Sequence, residues 1–520
     1  MYNFVCLKSN KQNVIFLTSC LVMIQNATDD IHVHKLIMFR QRKENFMESF
    51  VEALKGIQGV VWGPITILLL LFTGLYYTIR LKGIQIFHLH KSFQYIFEKE
   101  EGQGDVSTLG SLCTALAATI GTGSIVGVAT ALRAGGPGSL FWMWLSAFFG
   151  MATKYAECVL AVKYRSKDQN GQVAGGPMYY IELGLGKKFK WLACAFAFFG
   201  IFTALLGCGT FPQVNAIVES VNNAFHVPVG ILGVIITVLA AAVIFGGIGS
   251  ISKVAELVVP VMAIAYILGC VVALILQADQ LPAAFAQIFQ SAFTPHAMGG
   301  GIAGTVIISV MTAMRTGVAR GIYTNEAGLG SAPIVAAAAQ TNSPVRQGIV
   351  SMLGVFLTTI IICTMTALVI ISSGLLETPV NGVLLDGGLL SNTAFQQSLP
   401  GNIGLYIVSI GLVFFSFTTI IGWSYYGERC LVYLCGGTKL ITIYRVLYIV
   451  CIAIAPYLTL DAIWILADIT NALMAFPNLV GLLLLSPVVI KETNAYMENL
   501  KREKAEKAAR GFTGVGDMEA

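Results

Sequence analysis

The sequence predicts an all-α integral membrane protein of about eleven transmembrane helices. Of its 520 residues, 56% are hydrophobic and only 11% are charged, and the mean hydropathy is +0.75. A spanning helix needs about 20 mostly apolar residues, and the chain offers about eleven such stretches between short polar connections. A soluble core needs far less apolar surface, so this composition excludes the soluble globular class.

The predicted helices, called span 1 to span 11 in chain order, follow from the apolar runs and the breaks between them. Spans 1 to 6 cover residues 60–79, 107–130, 139–162, 191–218, 228–245 and 255–276. After a loop rich in proline and glycine, spans 7 to 11 cover residues 303–339, 349–372, 403–426, 441–455 and 462–489. Spans 7 and 11 are longer than one crossing, and we expect them to bend or break at Gly317, Gly321 and Pro477.

Lysine and arginine predict the orientation of the spans, because cytoplasmic loops are enriched in them. The loops after the odd-numbered spans all carry these residues, whereas those after the even-numbered spans carry only Arg133. We therefore expect a cytoplasmic C-terminus, with a basic tail over 491–520. The predicted organisation is an extra N-terminal helix with its cytoplasmic loop over 47–105, a first five-helix repeat over 106–276 and a second over 277–490.

Residues 1–46 conflict with this orientation, because they place a cationic stretch on the expected external side. The apolar run 14–24 is too short to span a membrane, and as a signal peptide it lacks a convincing small-residue cleavage site. We interpret 1–46 as an upstream extension with the natural start at Met47, and the alternative is a genuine cationic tail.

Spans 2 and 7 contain one motif at identical spacing, Thr122-Gly123-x-x-x-Gly127-x-x-Thr130 and Thr316-Gly317-x-x-x-Gly321-x-x-Thr324. The two copies lie five spans apart, so the second half enters the membrane in the opposite sense, as in an inverted repeat. GxxxG is also a common packing motif of membrane helices, which is the alternative. In span 2, however, glycines at 121, 123 and 127 lie on more than one face, which favours unwinding. Interrupted helices in corresponding positions of two halves are typical of the binding site of a secondary transporter.

An unwound segment over Ala118 to Gly127 offers backbone groups as ligands. Released N–H groups near Gly121 to Ser124, with the positive end of the following half-helix, suit a carboxylate. Freed carbonyls around Ala115 and Ala118 suit a hard cation. Hydroxyls would complete the shell, and the alternative for each is a hydrogen bond to the preceding helical turn; the candidates are Thr119, Thr122, Ser416, Thr418 and Thr419.

Ionisable residues inside spans are functional by default. Arg315 and Arg320 flank the expected break of span 7, and a gate between Arg320 and Glu326 is one interpretation. Lys154 and Glu157, three residues apart in span 3, are interpreted as an intrahelical structural pair.

Other chemistry has little support in the sequence. It contains no GxxxxGK[ST] phosphate loop, and no nucleophile with a base and an orienting residue can be assembled, so we do not expect an enzyme. The pairs His88-x-His90 and His32-x-His34 are interpreted as surface residues, and the eleven cysteines, which form no CxxC pair, as packing residues. The basic tail fits a membrane end better than a nucleic-acid site.

Several long motifs resemble the alanine or glycine:cation symporter family, and the resemblance covers roughly residues 50 to 490. They are Ala117-Ala118-Thr119-Ile120-Gly121-Thr122-Gly123, Gly135-Gly136-Pro137-Gly138-Ser139-Leu140-Phe141-Trp142-Met143-Trp144, Ala174-Gly175-Gly176-Pro177-Met178-Tyr179, Tyr323-Thr324-Asn325-Glu326-Ala327-Gly328-Leu329-Gly330-Ser331-Ala332-Pro333, and Gly422-Trp423-Ser424-Tyr425-Tyr426-Gly427-Glu428-Arg429. The chain departs from the family pattern at Ser124, Ser139 and Thr210-Phe211-Pro212, which leaves the selectivity for the substrate side chain open.

The resemblance implies a leucine-transporter-like five-plus-five inverted repeat preceded by one extra helix, and sodium-driven uptake of alanine or glycine. By position it implies contacts to the substrate carboxylate and sodium from Thr119, Gly121, Thr122 and Gly123, with Gln213 and Trp423 in the pocket. Gly317, the counterpart of Gly123 in the repeat, joins the predicted substrate set. The predicted sodium ligands are Ala115, Ala118, Thr418 and Thr419.

The leading hypothesis is therefore sodium-coupled symport of a small neutral amino acid by alternating access, in the plasma membrane of a bacterial or archaeal cell. The expected partners are alanine or glycine, sodium and membrane lipid, and no nucleic acid. The alternatives are a proton-coupled or other-substrate transporter of the same fold, and a channel or receptor.

Overall fold

The computed structural model describes residues 49–98, 100, 102–298, 306–380, 382–458 and 461–513. The expectations for 1–46 and for a start at Met47 lie outside these residues. The chain divides into two units, Met1–Ile57 and Gln58–Ala520. In the first unit, residues 49–57 are helical, and the second unit contains the elements that follow.

Nearly all regular structure is helical. The first half contains α1 (Pro64–Arg80), α2 (Ile84–Phe87), α3 (Leu89–Phe97), α4 (Thr108–Thr119), α5 (Val126–Gly135), α6 (Gly138–Lys163), α7 (Pro177–Leu185), α8 (Lys190–Leu206), α9 (Phe211–Phe225), α10 (Val229–Ile244) and α11 (Gly247–Leu276). The second half contains α12 (Leu281–Phe293), α13 (Val310–Asn325), α14 (Ala332–Ala336), α15 (Pro344–Val355), α16 (Thr364–Ser372), α17 (Gly387–Ser398), α18 (Ile403–Cys435), α19 (Ile441–Ile454), α20 (Asp461–Leu484) and α21 (Ser486–Thr513). Two antiparallel strand pairs lie in loops: β1 (Ser166–Lys167) with β2 (Val173–Ala174), and β3 (His296–Met298) with β4 (Val306–Ile308).

The helices have the lengths and apolar surfaces of a membrane protein. Within the described ranges, seven helical stretches are long and apolar enough to cross a membrane, and three shorter helices are also apolar. These ten stretches coincide with ten of the predicted spans, and span 7 consists of α13 and α14. Large apolar side chains point outward, such as Leu257 at 72% and Val261 at 65% exposure, as expected where hydrocarbon is the solvent. The predicted all-α membrane class is confirmed.

Span 2 is interrupted where the sequence predicts. Helix α4 ends at Thr119, a short 3₁₀ turn occupies Thr122–Ser124, and α5 begins at Val126. The backbone groups between α4 and α5 therefore leave the regular helical ladder.

Span 4 is interrupted as well, which the sequence analysis missed. Helix α8 ends at Leu206, and α9 begins at Phe211 with Pro212 in its first turn. Because proline has no N–H and fits the first helical turn, Pro212 favours a fresh helix start rather than a continuous span.

Span 7 does not break at Gly317 or Gly321, so that prediction is wrong. Helix α13 runs through both glycines, and both face α6. A Cβ on Gly317 would clash with the carbonyl oxygen of Ser139, and one on Gly321 would lie 2.5 Å from Ser146 Oγ. In this span the GxxxG motif serves helix packing, the alternative weighed above.

The interruption of span 7 lies instead at residues 326–331, between α13 and α14. Glu326, Gly328 and Gly330 have φ angles of +56°, +89° and +81°. These left-handed conformations end α13, and glycine adopts them without steric cost.

Two further features concern spans 11 and 8. Helix α20 continues through Pro477 to Leu484, so the span does not break there, and a bend at Pro477, the other half of that expectation, stays a prediction. Span 8 contains a π-helical segment, Phe356–Cys363, between α15 and α16. Such segments occur frequently at functional sites.

The two halves make matching contacts. Each span of the first half, spans 2 to 6, corresponds to the span five positions later, and a contact between two spans recurs between their counterparts. Spans 3 and 8, 4 and 9, and 5 and 10 pack directly against their own counterparts. Span 3 packs on span 7 as span 8 packs on span 2, and span 4 packs on span 11 as span 9 packs on span 6. These exchanged contacts are those of a five-plus-five repeat preceded by one extra helix, span 1.

We expect Gly317→Ala to destabilise the protein, because the added methyl group has no room between α13 and α6. Overpacking of this kind costs about 1–3 kcal/mol, and thermal melting of the detergent-purified protein measures it. Gly354→Ala in α15 is the matched control, since nothing lies within 4 Å of its added Cβ. Equal melting temperatures for Gly317→Ala and the unsubstituted protein would contradict the packing role.

Candidate functional site

Three carbonyl oxygens lie around Thr419 Oγ1 where the end of α4 meets α18, and Thr418 Oγ1 bonds to one of them. Thr419 Oγ1 lies 3.0 Å from Ala117 O, 3.4 Å from Ile120 O and 2.9 Å from Phe415 O. Thr418 Oγ1 lies 3.0 Å from the same Phe415 carbonyl oxygen. Three carbonyl oxygens and two hydroxyls are the kind of ligands that a hard cation prefers. We call these five atoms the five-oxygen cluster.

The carbonyl groups of this cluster differ from those predicted, because the register depends on where α4 ends. Ala115 lies inside α4, and its carbonyl accepts from Thr119 Oγ1 at 2.9 Å. Ala118 packs against Gly422, where an added Cβ would lie 2.9 Å from Ala118 Cβ. Ala117 and Ile120 therefore replace Ala115 and Ala118 as the carbonyls facing Thr419.

The interruption of span 4 brings Gln213 to the interruption of span 2. The Thr122 N–H donates to Gln213 Oε1 at 3.1 Å, and Gln213 Nε2 donates to Cys208 O at 3.0 Å. A Cβ on Gly121 would lie 2.5 Å from Thr419 Oγ1 and 2.9 Å from Gln213 Oε1. Only glycine at 121 lets the backbone approach both side chains this closely.

Three buried hydroxyls around the interruption of span 2 make no hydrogen bond of standard geometry with the residues that the structure describes, although Tyr323 faces the Thr122 side chain and Ser124 faces Cys363. The three hydroxyls are Thr122 Oγ1, Ser124 Oγ and Tyr323 OH. A buried hydroxyl without a partner costs about 1–3 kcal/mol. Gly123 lies beside them, since its added Cβ would be 3.1 Å from Tyr323 Cδ1. Three such groups around one backbone break indicate a position for a polar ligand.

Trp423 forms a wall between the interruptions of spans 4 and 7. Its indole is buried, and Nε1 donates to Glu326 Oε1 at 3.0 Å. An added Cβ on Gly209 would lie 2.9 Å from Trp423 Cβ. The structure thus brings Trp423 close to the backbone of both interruptions.

The predicted site residues fall into two sets. The structure assembles Gly121, Thr122, Gly123, Gln213, Thr418, Thr419 and Trp423. Thr119 Oγ1 lies 2.9 Å from Ala115 O and 3.2 Å from Leu116 O, both in its own helix, and unlike Thr418 it shares no carbonyl with Thr419. Gly317 packs on α6 away from the interruption of span 7, so we leave Thr119 and Gly317 out of the proposed site. Sequence reasoning missed Tyr323, although it lies within a quoted motif.

Arg320 and Glu326 do not pair, so the gate predicted between them is wrong. Helix α13 ends between the two residues, and Glu326 turns toward Trp423 and Ser331, whose Oγ donates to Glu326 Oε2 at 2.5 Å. Arg320 forms an ion pair with Asp468 of α20, with Nη2 3.2 Å from Oδ2.

Asp468 is also held by the residues that precede α1. Gln58 Nε2 donates to Asp468 Oδ2 at 2.7 Å, and Trp62 Nε1 donates to the Asp468 carbonyl at 2.8 Å. These residues, with Arg315 and Arg320, line a cavity of about 330 Å³. Span 1 therefore supports the ion pair between spans 7 and 11. The sequence signal for Asp468 was a lone acidic residue inside an apolar span.

A second ionic cluster joins the other ends of several spans. Arg429 of α18 binds Asp168 and Glu428 at 2.8 Å and 2.7 Å, and Arg445 of α19 binds Glu428 at 2.7 Å. Asp105, just before α4, accepts from the Val173 N–H at 2.8 Å. Burial raises the pKa of the Asp105 carboxyl, and the nearby Arg429 opposes that shift. The cluster ties α18 and α19 to the β1–β2 loop, which also binds the residue preceding span 2.

A five-plus-five membrane fold with interrupted helices around a buried polar site defines a secondary transporter. Comparison with known proteins is consistent with this class. The profile of the sodium:alanine symporter family matches residues 47–510. The chain belongs to that family, whose members are transporters and not enzymes.

Individual relatives extend over nearly the whole chain. An uncharacterized transporter of Haemophilus influenzae is 53% identical, over 86% of this chain and 96% of the relative. The sodium/alanine symporter AgcS of Methanococcus maripaludis is 48% identical, over 88% of this chain and 99% of the relative. A probable sodium/glutamine symporter, GlnT of Bacillus subtilis, is 36% identical, over 88% of this chain and 94% of the relative.

We expect Asp468→Asn to lower the free energy of unfolding by about 1–3 kcal/mol, because it leaves the half-buried guanidinium of Arg320 without a counter-ion. Adding Arg320→Gln should recover part of the loss, since it removes the unpaired charge. Thermal melting of the two single variants, the double variant and the unsubstituted protein forms a double-mutant cycle, which measures the interaction between the two side chains. Strictly additive losses would show that the two charges do not interact.

Proposed function

We propose that this protein is a sodium-coupled symporter that takes up a small neutral amino acid, alanine or glycine, by alternating access. One observation carries the proposal: a five-oxygen cluster lies at the end of α4, and three buried hydroxyls without a regular hydrogen bond surround the turn that follows. An amino acid and a cation are thereby expected a few ångströms apart, where the binding of one stabilises the other.

The proposed substrate position is the space between the interruption of span 2 and Tyr323. The substrate carboxylate faces the backbone at Gly121 to Ser124, near the start of α5, where the helix dipole favours an anion. Thr122, Gln213 and Tyr323 supply polar contacts to the substrate. Tyr323 and Trp423 are buried aromatic groups, and we propose that they border this position and limit it to a small side chain.

The proposed sodium ligands are the five-oxygen cluster: Ala117 O, Ile120 O, Phe415 O, Thr418 Oγ1 and Thr419 Oγ1. The cluster draws on both α4 and α18, so a cation there holds the two helices together. Trp423 lies one turn after Thr419 on α18, which links sodium binding to the wall of the substrate pocket. Sodium drives transport only if its affinity differs between the two access states.

The ion pairs at Arg320 and Arg429 are the proposed closing contacts of the two access states. The protein is proposed to lie in the plasma membrane of a bacterial or archaeal cell with its C-terminus in the cytoplasm, as the distribution of Lys and Arg favours. The relative named for alanine supports alanine as the substrate, whereas the relative named for glutamine makes selectivity a question for experiment.

Uptake of radiolabelled alanine and glycine into proteoliposomes tests the function directly. We expect saturable, concentrative uptake that requires an inward sodium gradient and is competed by excess unlabelled alanine or glycine more than by glutamine. Uptake driven by a pH gradient without sodium would favour proton coupling instead. A flux that stays linear in alanine concentration would favour a channel.

Thr419→Val tests the sodium site, because valine keeps the shape of threonine and removes one oxygen. Loss of a ligand worth about 1–2 kcal/mol should raise the half-saturating sodium concentration about tenfold. Thr73→Val is the matched control, since Thr73 is equally buried but its hydroxyl only bonds to Leu69 O in the preceding turn of α1. An unchanged sodium dependence in Thr419→Val would refute the assigned ligand.

A further inference from the structure

The two main interruptions are counterparts in the repeat, yet their surroundings differ. Around the interruption of span 2, three buried hydroxyls make no hydrogen bond of standard geometry within the described residues. At the interruption of span 7, backbone groups are bound by two charged side chains of span 3, Lys154 and Glu157. The second Glu157 oxygen, Oε2, has no hydrogen-bond partner within the described residues, so the contrast between the two interruptions concerns their backbone groups.

Glu157 supplies a carboxylate to the N–H groups of the span 7 interruption. The N–H groups of Gly328 and Gly330 both donate to Glu157 Oε1 at 3.1 Å. Asn478 of α20 donates to the same oxygen at 2.6 Å and to Gly328 O at 2.9 Å. Glu157 and Asn478 are fully buried. This carboxylate therefore occupies an anion position formed by backbone N–H groups.

Lys154 supplies an ammonium group to a carbonyl group at the same interruption. Its Nζ donates at 3.0 Å to the carbonyl of Asn325, the last residue of α13. A cation at the C-terminal end of a helix satisfies released carbonyls and is favoured by the helix dipole. Because Lys154 and Glu157 are three residues apart in α6, one turn of that helix presents both charges.

Span 8 shows why the other interruption is not filled in this way. By the repeat, span 8 stands to span 2 as span 3 stands to span 7. Between residues 347 and 376 the sequence contains no charged residue. Span 8 therefore has no ammonium or carboxylate to place at the interruption of span 2.

We infer that Lys154 and Glu157 act as a built-in zwitterionic ligand that permanently occupies the interruption of span 7. They bind the backbone groups released there, so the groups left for the substrate are those at the interruption of span 2. This inference rests on the proposed function, because it assigns a zwitterionic substrate to the first interruption.

The built-in ligand also positions the substrate pocket. By fixing the backbone on both sides of the interruption, it holds Glu326, whose carboxylate binds the indole of Trp423. Lys154 and Glu157 are thus positioning residues that act through Glu326 on the pocket wall. Removing them should change the affinity for the substrate before it changes the assembly of the helices.

Hydrogen exchange measured by mass spectrometry distinguishes permanent from substrate-dependent occupancy. In the full-length protein with sodium, we expect peptides covering 119–128 to gain protection when alanine is added. Peptides covering 326–333 should be equally protected with and without alanine. Protection at 326–333 that appears only with alanine would overturn the inference.

Two substitutions of Glu157 test the role of the carboxylate oxygen. Glu157→Gln keeps an oxygen acceptor, so we expect protection at 326–333 to persist and the half-saturating alanine concentration to rise less than about fivefold. Glu157→Leu removes the acceptor, so exchange at 326–333 should accelerate at least tenfold and alanine half-saturation should rise at least twentyfold. Cys158→Ala, the next buried position of α6, is the control and should match the unsubstituted protein.

Exchange in α10 serves as the measure of overall folding. If Glu157→Leu unfolds, Glu157→Gln decides: loss of protection at 326–333 in a folded Gln variant would overturn the inference. Unsubstituted exchange and alanine affinity in a folded Glu157→Leu variant would also overturn it. A failure of the proposed function looks different, because the unsubstituted protein would then neither transport alanine nor gain protection at 119–128.

Discussion

The structure depends on one constraint: every backbone N–H and C=O group within the membrane needs a partner, because hydrocarbon offers none. A continuous helix meets this demand alone, whereas an interrupted helix creates a local demand for ligands. Within the described residues three spans are interrupted, and their released groups are met by side chains or left for ligands. The functional chemistry follows from which groups are left over.

The repeat does not make the two halves equivalent in chemistry. The interruption of span 7 is bound by charged side chains of span 3. Span 8, which faces the interruption of span 2, offers only neutral side chains there. Lys154 and Glu157 each have a backbone partner, through Lys154 Nζ and Glu157 Oε1, whereas Glu157 Oε2 has no partner within the described residues. Asymmetric placement of charge thus converts a duplicated scaffold into one with a single open site.

The fold was predictable because length, hydropathy and glycine density depend on residues close together in sequence. The interruption of span 7 was misplaced, because Gly317 and Gly321 match span 2 in spacing but serve packing. The actual break, marked by alternating glycines after Glu326, needs knowledge of left-handed φ angles. In the site, the hydroxyls of Thr418 and Thr419 stood out in an apolar span, whereas the carbonyl register and the contact of Arg320 with its acidic partner depend on tertiary packing.

Helix α18 contains 33 residues without interruption, about 50 Å at 1.5 Å per residue. The hydrocarbon core is about 30 Å thick, so this helix is expected to project beyond it. Thr419 and Arg429 lie ten residues apart on it, about 15 Å along its axis. The helix thus carries the five-oxygen cluster near its middle and the second ionic cluster, through Arg429, toward one end. If the helix moves as one body, a small tilt caused by cation binding would displace Arg429 more than Thr419.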